Sequence, residues 1–235
     1  MASNPFRPID VLRSVLFYPA FYLGSVVCVV VALAMLPLSQ PAFLAAVRGW
    51  AGYHRACARA LLGIRVRIEG SRPSAGPVLF ALRHESFFEA IDLPWLFDQP
   101  VVFAKAQLLR IPGWGFAGRR FGLVPVEREA GAKALRAMIA AARAYSGSGR
   151  PLAIFPEGTR VPAGTTPPLQ AGFAGLYKLL ALPVVPVAVD SGRLYHGRWK
   201  RPGTITYRFA DPIPPGLPRE EVERRVGDAI HALIR

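Results

Sequence analysis

The chain has 235 residues, of which 52% are apolar, and its formal net charge is +14 at pH 7. This length suffices for one large domain, or for a domain with an anchor, and the mean hydropathy of +0.28 is high for a simple soluble protein. The charge predicts attraction to polyanions, of which an anionic membrane surface and nucleic acid are the obvious kinds. Its two cysteines, Cys28 and Cys57, indicate neither a disulfide framework nor a zinc site, and they fit a reducing cytosol.

The first part of the chain contains a long uncharged run, from Ser14 to Val47. Its section Phe17–Leu36 is long enough to cross a hydrocarbon core of about 30 Å. A cleaved signal peptide would have a shorter apolar region, of about 7–15 residues. Basic residues flank both ends of the run, so the positive-inside rule selects no orientation. A single span, a re-entrant hairpin and a buried core helix therefore remain open.

Residues 41–62 are predicted to form an amphipathic helix. Its basic residues share one narrow arc, and they are Arg48, Arg55 and Arg59. Trp50 and His54 lie on the opposite, apolar side, where a histidine is expected to pack. Such a helix can lie in the headgroup plane of a bilayer. The alternative is packing on the domain, with the arginines in water. We therefore predict a membrane-associated helical segment over residues 1–62.

The pattern changes after Gly63, where short apolar strands alternate with helices. Strands are predicted over 65–69, 78–82, 101–104, 122–126, 152–155, 184–189 and 204–209. Helices are predicted over 86–97, 131–145 and 171–180, and from residue 220 to the end. Such alternation is typical of an α/β fold, with a mixed, largely parallel central sheet flanked by helices. Residues 63–235 are accordingly predicted to form one catalytic domain.

The most informative stretch is RHESFFEAID, which follows the second predicted strand. His84 stands at the end of that strand, and Glu89 lies in the first turn of the next helix. A histidine accepts a proton near neutral pH, and a carboxylate behind it can orient the ring. No strained G-x-S-x-G elbow surrounds Ser86, so no side chain is an obvious nucleophile. The pair therefore favours a hydroxyl on the substrate as the nucleophile.

Both residues also have a plain structural interpretation. The spacing from Ser86 to Glu89 is that of a capping box, in which the glutamate binds the N-cap amide. His84 would then be a loop histidine without a role. The two interpretations are compatible, because a glutamate in the first helical turn lies close to the preceding loop. The backbone amides that follow His84 are candidate donors to an oxyanion.

Two further stretches carry positive charge where a substrate would bind. Residues 103–128 combine glycines with basic residues that include Lys105 and Arg128, which predicts a phosphate or acyl-chain site or a basic membrane-facing surface. At another predicted strand end, IFPEGTR places Glu157 and Arg160 on a turn at Gly158. Arg160 would bind a phosphate or carboxylate, while Glu157 would accept from a substrate hydroxyl or orient Arg160. The alternative is a surface ion pair between these two side chains.

In their order and spacing, these stretches resemble the glycerolipid acyltransferase family, over residues 63 to 215. That family has H-x-x-x-x-D, a Gly/Arg segment, F-P-E-G-T-R and a V-P-V strand. The resemblance implies that His84 is the catalytic base and that Glu89 replaces the family's Asp. It also implies that Arg128 binds the acceptor. The FPEGTR residues implied to bind substrate are Glu157, Gly158, Thr159 and Arg160, with Lys105 as a further candidate.

The resemblance implies a membrane-bound enzyme that moves a fatty acyl group from acyl-CoA or acyl-carrier protein. The implied acceptor is the sn-2 hydroxyl of 1-acylglycerol 3-phosphate, the product is phosphatidic acid, and no metal or other cofactor is needed. A bacterial inner membrane, with the catalytic domain facing the cytoplasm, is the expected location. A lyso-ornithine lipid acceptor and a non-enzymatic protein that binds anionic lipids remain alternatives. Nucleic acid is disfavoured, because no recognition motif is present.

Overall fold

A seven-stranded mixed sheet forms the centre of the computed structural model, which describes residues 7–73, 77–127 and 131–234. The strands are β1 Ile64–Glu69, β2 Leu79–Leu82, β3 Val101–Lys105, β4 Leu123–Val126, β5 Leu152–Ile154, β6 Val184–Val189 and β7 Gly203–Phe209. Their spatial order is β1-β7-β6-β2-β5-β3-β4. The five strands from β6 to β4 are parallel, whereas β7 is antiparallel to β6 and parallel to β1. The predicted α/β class is confirmed.

Helices cover both faces of this sheet. They are α1 Pro8–Met35, α2 Gln40–Leu62, α3 Phe87–Leu96, α4 Trp114–Phe121, α5 Gly131–Ser146, α6 Ala171–Leu180 and α7 Arg219–Ile230. Successive strand residues point to opposite faces, and β2 is buried on both. Its Phe80 and Leu82 join the core made with α1, α2 and α3, while Leu79 and Ala81 join the core made with α5, α6 and α7.

The first two helices form an antiparallel hairpin. Ser39 caps α2 by accepting a hydrogen bond from the amide of Ala42, and two further bonds tie the helices together. The Trp50 indole donates to the Ser25 hydroxyl at 2.9 Å, and the Tyr53 hydroxyl donates to the carbonyl of Ala20 at 2.7 Å. Of the described residues, α1 alone is long and apolar enough to cross a membrane.

Both ends of α1 contact the α/β part of the chain. Near its start, the Ser14 hydroxyl accepts from the amide of Lys200 at 2.8 Å. Near its end, Ala32 packs in a cluster with Ala117 and Phe121 of α4. The helix therefore runs along the domain, and its outer face is exposed, with Leu23 69% accessible. The hairpin of α1 and α2 is a feature of the fold, and the choice between a single span and a re-entrant hairpin in a bilayer stays a prediction.

The arginine face of α2 differs from the expectation. Arg55 forms a two-point ion pair with the buried carboxylate of Asp92 on α3, with Nη2 2.7 Å from Oδ2. The Arg48 guanidinium lies 5.1 Å from the centre of the Trp95 ring. Both Arg48 and Arg59 are exposed to solvent, as expected. The periodicity was interpreted correctly, but α3 packs against part of the arc, so that the half-buried Arg55 pairs with a buried carboxylate.

Candidate active site

His84 and Glu89 meet at the carboxyl end of β2, where ligands bind in open α/β sheets. The Nδ1 atom of His84 lies 3.0 Å from Oε1 of Glu89, so the glutamate is long enough to reach the ring. The Glu89 side chain is fully buried, whereas the His84 side chain is 13% exposed. The imidazole stacks on Phe155, with the ring centres 4.0 Å apart. The bond at Nδ1 leaves Nε2 as the nitrogen available to a substrate.

Glu89 is fixed by donors on both of its oxygens. Oε1 also accepts from the amides of Glu85 and Ser86, both at 2.6 Å, and this completes the predicted capping box. Oε2 accepts from the hydroxyls of Ser86 and Ser191, at 2.9 and 2.6 Å. Burial alone would raise the pKa of Glu89, but its bonds with His84, Ser191 and Ser86 outweigh burial and hold the pKa below its ordinary value. The carboxylate is therefore ionised at neutral pH.

The same bonds correct the expectation about the oxyanion. The amides of Glu85 and Ser86, which follow His84, were candidate donors to the reacting oxygen. Both donate to Glu89 instead. A backbone N–H has one proton, so these two groups are already engaged. An oxyanion at this site would need donors other than these two amides.

The IFPEGTR turn follows β5, the neighbour of β2, and therefore lies beside His84. Gly158 donates from its amide to the carbonyl of Phe155 at 2.9 Å and has φ +72°, a conformation that favours glycine. A Cβ at Gly158 would also lie 2.6 Å from Cγ of Gln170. Thr159 and Arg160 are exposed, and the Arg160 guanidinium lies 3.8 Å from the centre of the Phe87 ring at the start of α3. These two side chains border the site.

Glu157 points inward and is buried. Its Oε2 accepts from the amide of His84 at 2.8 Å, and its Oε1 lies 3.3 Å from Nη1 of Arg83. The expected ion pair with Arg160 and the expected contact with a substrate hydroxyl do not fit this position. The reason is that Arg83 is also buried and takes the carboxylate as its partner. Sequence reasoning gave Arg83 no role.

The other predicted binding residues lie further along the same edge. Lys105 is exposed at the end of β3, which lies two strand spacings, or about 10 Å, from β2. Arg128 lies outside the described residues. A basic group that was not predicted, Lys200, has its pKa lowered to about 8 by burial and by the charge of Arg160. Among the described residues, no group of His, Cys, Asp and Glu is arranged to hold a metal ion.

Sequence reasoning also missed Ser191, which follows β6 on the other side of β2. Its hydroxyl donates to Glu89, and the next amide, of Gly192, donates to Oε2 of Glu85 at 2.8 Å. A single π-helical turn, Gly192–His196, begins here. The available signal was position, because a polar residue directly after a buried parallel strand lies at the ligand-binding edge.

Comparisons with known proteins identify the family of this chain. The family model described as Acyltransferase matches residues 63–190, more than half of the chain. A 1-acyl-sn-glycerol-3-phosphate acyltransferase of Cocos nucifera is 28% identical, covering 97% of this chain and 76% of that protein. The enzyme with the same name from Pseudomonas aeruginosa is 26% identical, covering 84% of this chain and 79% of that protein.

A solved structure shares the fold. The 1-acyl-sn-glycerophosphate acyltransferase of Thermotoga maritima superposes with a TM-score of 0.75 and 21% identity, covering 95% of this chain and 96% of that one. The matched family region begins at β1 and includes His84, Glu89, the IFPEGTR turn and all of β6. The resemblance that the motifs indicated is thereby confirmed, and the chain belongs to the acyltransferase family.

Proposed function

We propose that this protein is a 1-acylglycerol-3-phosphate O-acyltransferase, which moves a fatty acyl group from an acyl thioester to the sn-2 hydroxyl and yields phosphatidic acid. The observation that carries the proposal is the His84–Glu89 pair, with Nδ1 3.0 Å from Oε1 at the carboxyl end of β2. The family membership and the names of the relatives from Cocos nucifera and Pseudomonas aeruginosa support it.

In this proposal His84 is the general base. Glu89 accepts the Nδ1 proton, which keeps Nε2 free to remove the proton of the acceptor hydroxyl. The acceptor oxygen then attacks the thioester carbonyl and forms a tetrahedral intermediate. The C–S bond breaks, and the departing thiolate takes the proton from His84. Glu89 stabilises the imidazolium that exists between the two proton transfers.

The acceptor phosphate is proposed to bind at the exposed cations of this edge. Arg160 lies near the His84–Glu89 pair through its contact with Phe87 at the start of α3. A planar guanidinium binds phosphate through two parallel hydrogen bonds. Thr159 is exposed next to it and offers a hydroxyl. Lys105 lies about 10 Å from β2 across the sheet edge, and Arg128 follows β4 in sequence. These two residues are proposed as further acceptor contacts.

The helical hairpin is proposed to dock on the cytoplasmic surface of a membrane. The outer face of α1 exposes a continuous set of apolar side chains that includes Leu23, Val26 and Val27. Phe116 on α4 is also exposed, and α4 packs against the far end of α1. A large exposed apolar surface of this kind is typical of a site that contacts a membrane or a partner protein. A lysolipid could then reach His84 from the membrane.

The proposal is tested with purified protein in detergent. Given 1-acylglycerol 3-phosphate and either acyl-CoA or acyl-carrier protein, the protein should release free thiol and form phosphatidic acid, and the two donor arms identify the donor. The turnover of the His84→Ala variant should be lower by about 10²–10⁴-fold, while the variant keeps its fold and its vesicle binding. Turnover close to wild type in that variant would overturn the mechanism.

An acceptor panel separates the alternatives. Lyso-ornithine lipid should react more slowly than 1-acylglycerol 3-phosphate, because it lacks the phosphate that the exposed cations are proposed to bind. A preference for lyso-ornithine lipid would reassign the acceptor. A non-enzymatic lipid-binding protein would bind vesicles and release no thiol with any acceptor.

A further inference from the structure

Arg83, the residue before His84, has an unusual position for an arginine. It is 1% exposed, and its guanidinium bonds to three other residues. Nε donates to Oε1 of Glu85 at 2.6 Å, Nη1 to Oε1 of Glu157 at 3.3 Å, and Nη2 to the carbonyl of Thr165 at 2.8 Å. Because a buried arginine is rarely retained without charged partners, these bonds indicate a built network.

One branch of the network reaches the backbone of His84. Glu157 uses its second oxygen, Oε2, to accept from the His84 amide at 2.8 Å. On the other side of the same residue, the His84 carbonyl accepts from the amide of Val161 at 2.7 Å. Residues 157–161 therefore hold the base on both sides, and Arg83 holds Glu157 in that loop.

The second branch reaches the partner of the base. Glu85 accepts from Arg83 with Oε1 and from the amide of Gly192 with Oε2, at 2.8 Å. The residue before Gly192 is Ser191, whose hydroxyl donates to Glu89. Arg83 thus connects the segment that positions His84 with the segment that positions Glu89.

We infer that Arg83 is a positioning residue for acyl transfer, which sets the geometry of the His84–Glu89 pair through Glu157 and Glu85. The inference rests on the proposed function. Removing the guanidinium would leave two buried carboxylates without their common cation, near the charge of Glu89 and with the His231 ring 3.4 Å from Glu157. They would turn toward water or take up protons, and both loops would shift.

The test compares Arg83→Met with a matched control, Arg55→Met. Arg55 also lies in a two-point pair with a buried carboxylate, Asp92, but it has no bond to the loops around His84. Both variants should lose stability. Only Arg83→Met should lose kcat per folded molecule, by about 10–100-fold and with little change in KM, because a small misplacement of a catalytic group suffices for such a loss. Equal kcat values in the two variants would overturn the inference.

A second readout needs no substrate. The chain has four histidines, so the ring nitrogens of His84 can be assigned by ¹⁵N NMR against the His84→Ala variant. The wild type should show one tautomer with the proton on Nδ1, and Arg83→Met should show a mixture. An unchanged tautomer would refute the positioning role. This spectrum decides the role of Arg83 even if the wild type transfers no acyl group, which would refute the proposed function alone.

Two more variants test the inference if Arg83→Met does not fold. Arg83→Lys keeps the charge but lacks the planar fork that reaches three partners, so it should fold and still lose kcat. Glu157→Gln breaks the same link from the other end. The kcat of the Arg83→Lys/Glu157→Gln double variant should be no lower than that of the worse single variant, since residues in one network are not additive. Independent, multiplicative losses would contradict a shared route to His84.

Discussion

Glu89 has two tasks at once, which its two oxygens and full burial make possible. The same Oε1 that contacts Nδ1 of His84 accepts from the amides of Glu85 and Ser86, so the helix cap and the orienter of the base are one group. A capped helix is common, but a capping carboxylate beside a histidine ring also fixes the tautomer of that ring. The cap therefore holds the carboxylate where the proposed base requires it.

The Glu89→Gln variant should separate charge from size at this position. Glutamine offers one oxygen, so its NH₂ group must face either the two amides or the two hydroxyls that now donate to Glu89. We expect kcat to fall by about 10²–10⁴-fold and stability to fall by about 1–3 kcal/mol, the cost of unmatched buried donors. Turnover per folded molecule and chemical denaturation measure the two effects. Wild-type kcat in this variant would show that the carboxylate has no part in the proton transfer.

The residues that sequence reasoning misplaced or missed share one physical feature, a partner distant in the chain. Glu157 was expected to pair with Arg160, three residues away, and it pairs instead with Arg83, which is 74 residues away. Ser191 is 102 residues from Glu89. Local spacing predicts caps, turns and strand ends. Which strand ends become neighbours depends on the strand order, which the pattern of apolar residues does not specify.

At the scale of elements, regular strands and helices were predictable, because their periodicity follows directly from burial on one or two faces. The short segments were not. Residues 106–121, predicted only as a Gly/Arg-rich segment, form a 3₁₀ helix, Ala106–Arg110, followed by α4. The turn after β6 is a π-helical turn that contacts the hairpin: the Tyr195 hydroxyl lies 2.8 Å from Nε2 of His54 on α2. Such contacts depend on tertiary packing.

The contact between α2 and the turn after β6 gives a pH dependence to stability. Burial, with the charges of Arg55 and Lys200, lowers the pKa of His54 from 6.5 to about 3. The folded state therefore keeps His54 neutral at a pH where the unfolded chain takes up a proton. The stabilisation is complete above about pH 6.5 and is lost as the pH falls toward 3, with a slope of up to about 1.4 kcal/mol per pH unit.

The His54→Gln variant measures this contribution. Its free energy of unfolding should vary less steeply between about pH 5 and 7 than that of the wild type. The two slopes should differ by up to about 1.4 kcal/mol per pH unit, which corresponds to the uptake of one proton. Every other titrating group, including Glu85 and Asp92, is shared by the two proteins, so the difference isolates His54. Urea denaturation in detergent at several pH values gives both slopes. Parallel curves would mean that His54 is protonated equally in the folded and unfolded states.

At the scale of the whole molecule, the proposed catalytic groups and the proposed docking face are joined through the same segment. Tyr18 of the hairpin bonds to Arg198, and Ser14 bonds to Lys200. The π-helical turn that precedes these two residues bonds through Gly192 to Glu85, the residue after His84. The apolar outer face of α1 and the net charge of +14 would act on a bilayer in different ways. Burial of the apolar face in the bilayer lowers the free energy, whereas the charge attracts anionic headgroups over a distance that shortens as the ionic strength rises.

Vesicle binding should therefore have a salt-sensitive contribution from the charge and a salt-resistant contribution from the apolar face. At about 0.15 M salt the protein should prefer anionic over neutral vesicles, and at about 1 M salt, where the Debye length falls from about 8 Å to about 3 Å, that preference should disappear. The binding that remains at high salt comes from the apolar face.

Leu23→Asp should weaken this salt-resistant binding by roughly tenfold or more, since burial of a leucine side chain contributes about 1.5–3 kcal/mol. Leu179→Asp, an exposed leucine on α6 at 46% accessibility, is the matched control and should bind as wild type. Equal losses in both variants would mean that the hairpin is not the docking face.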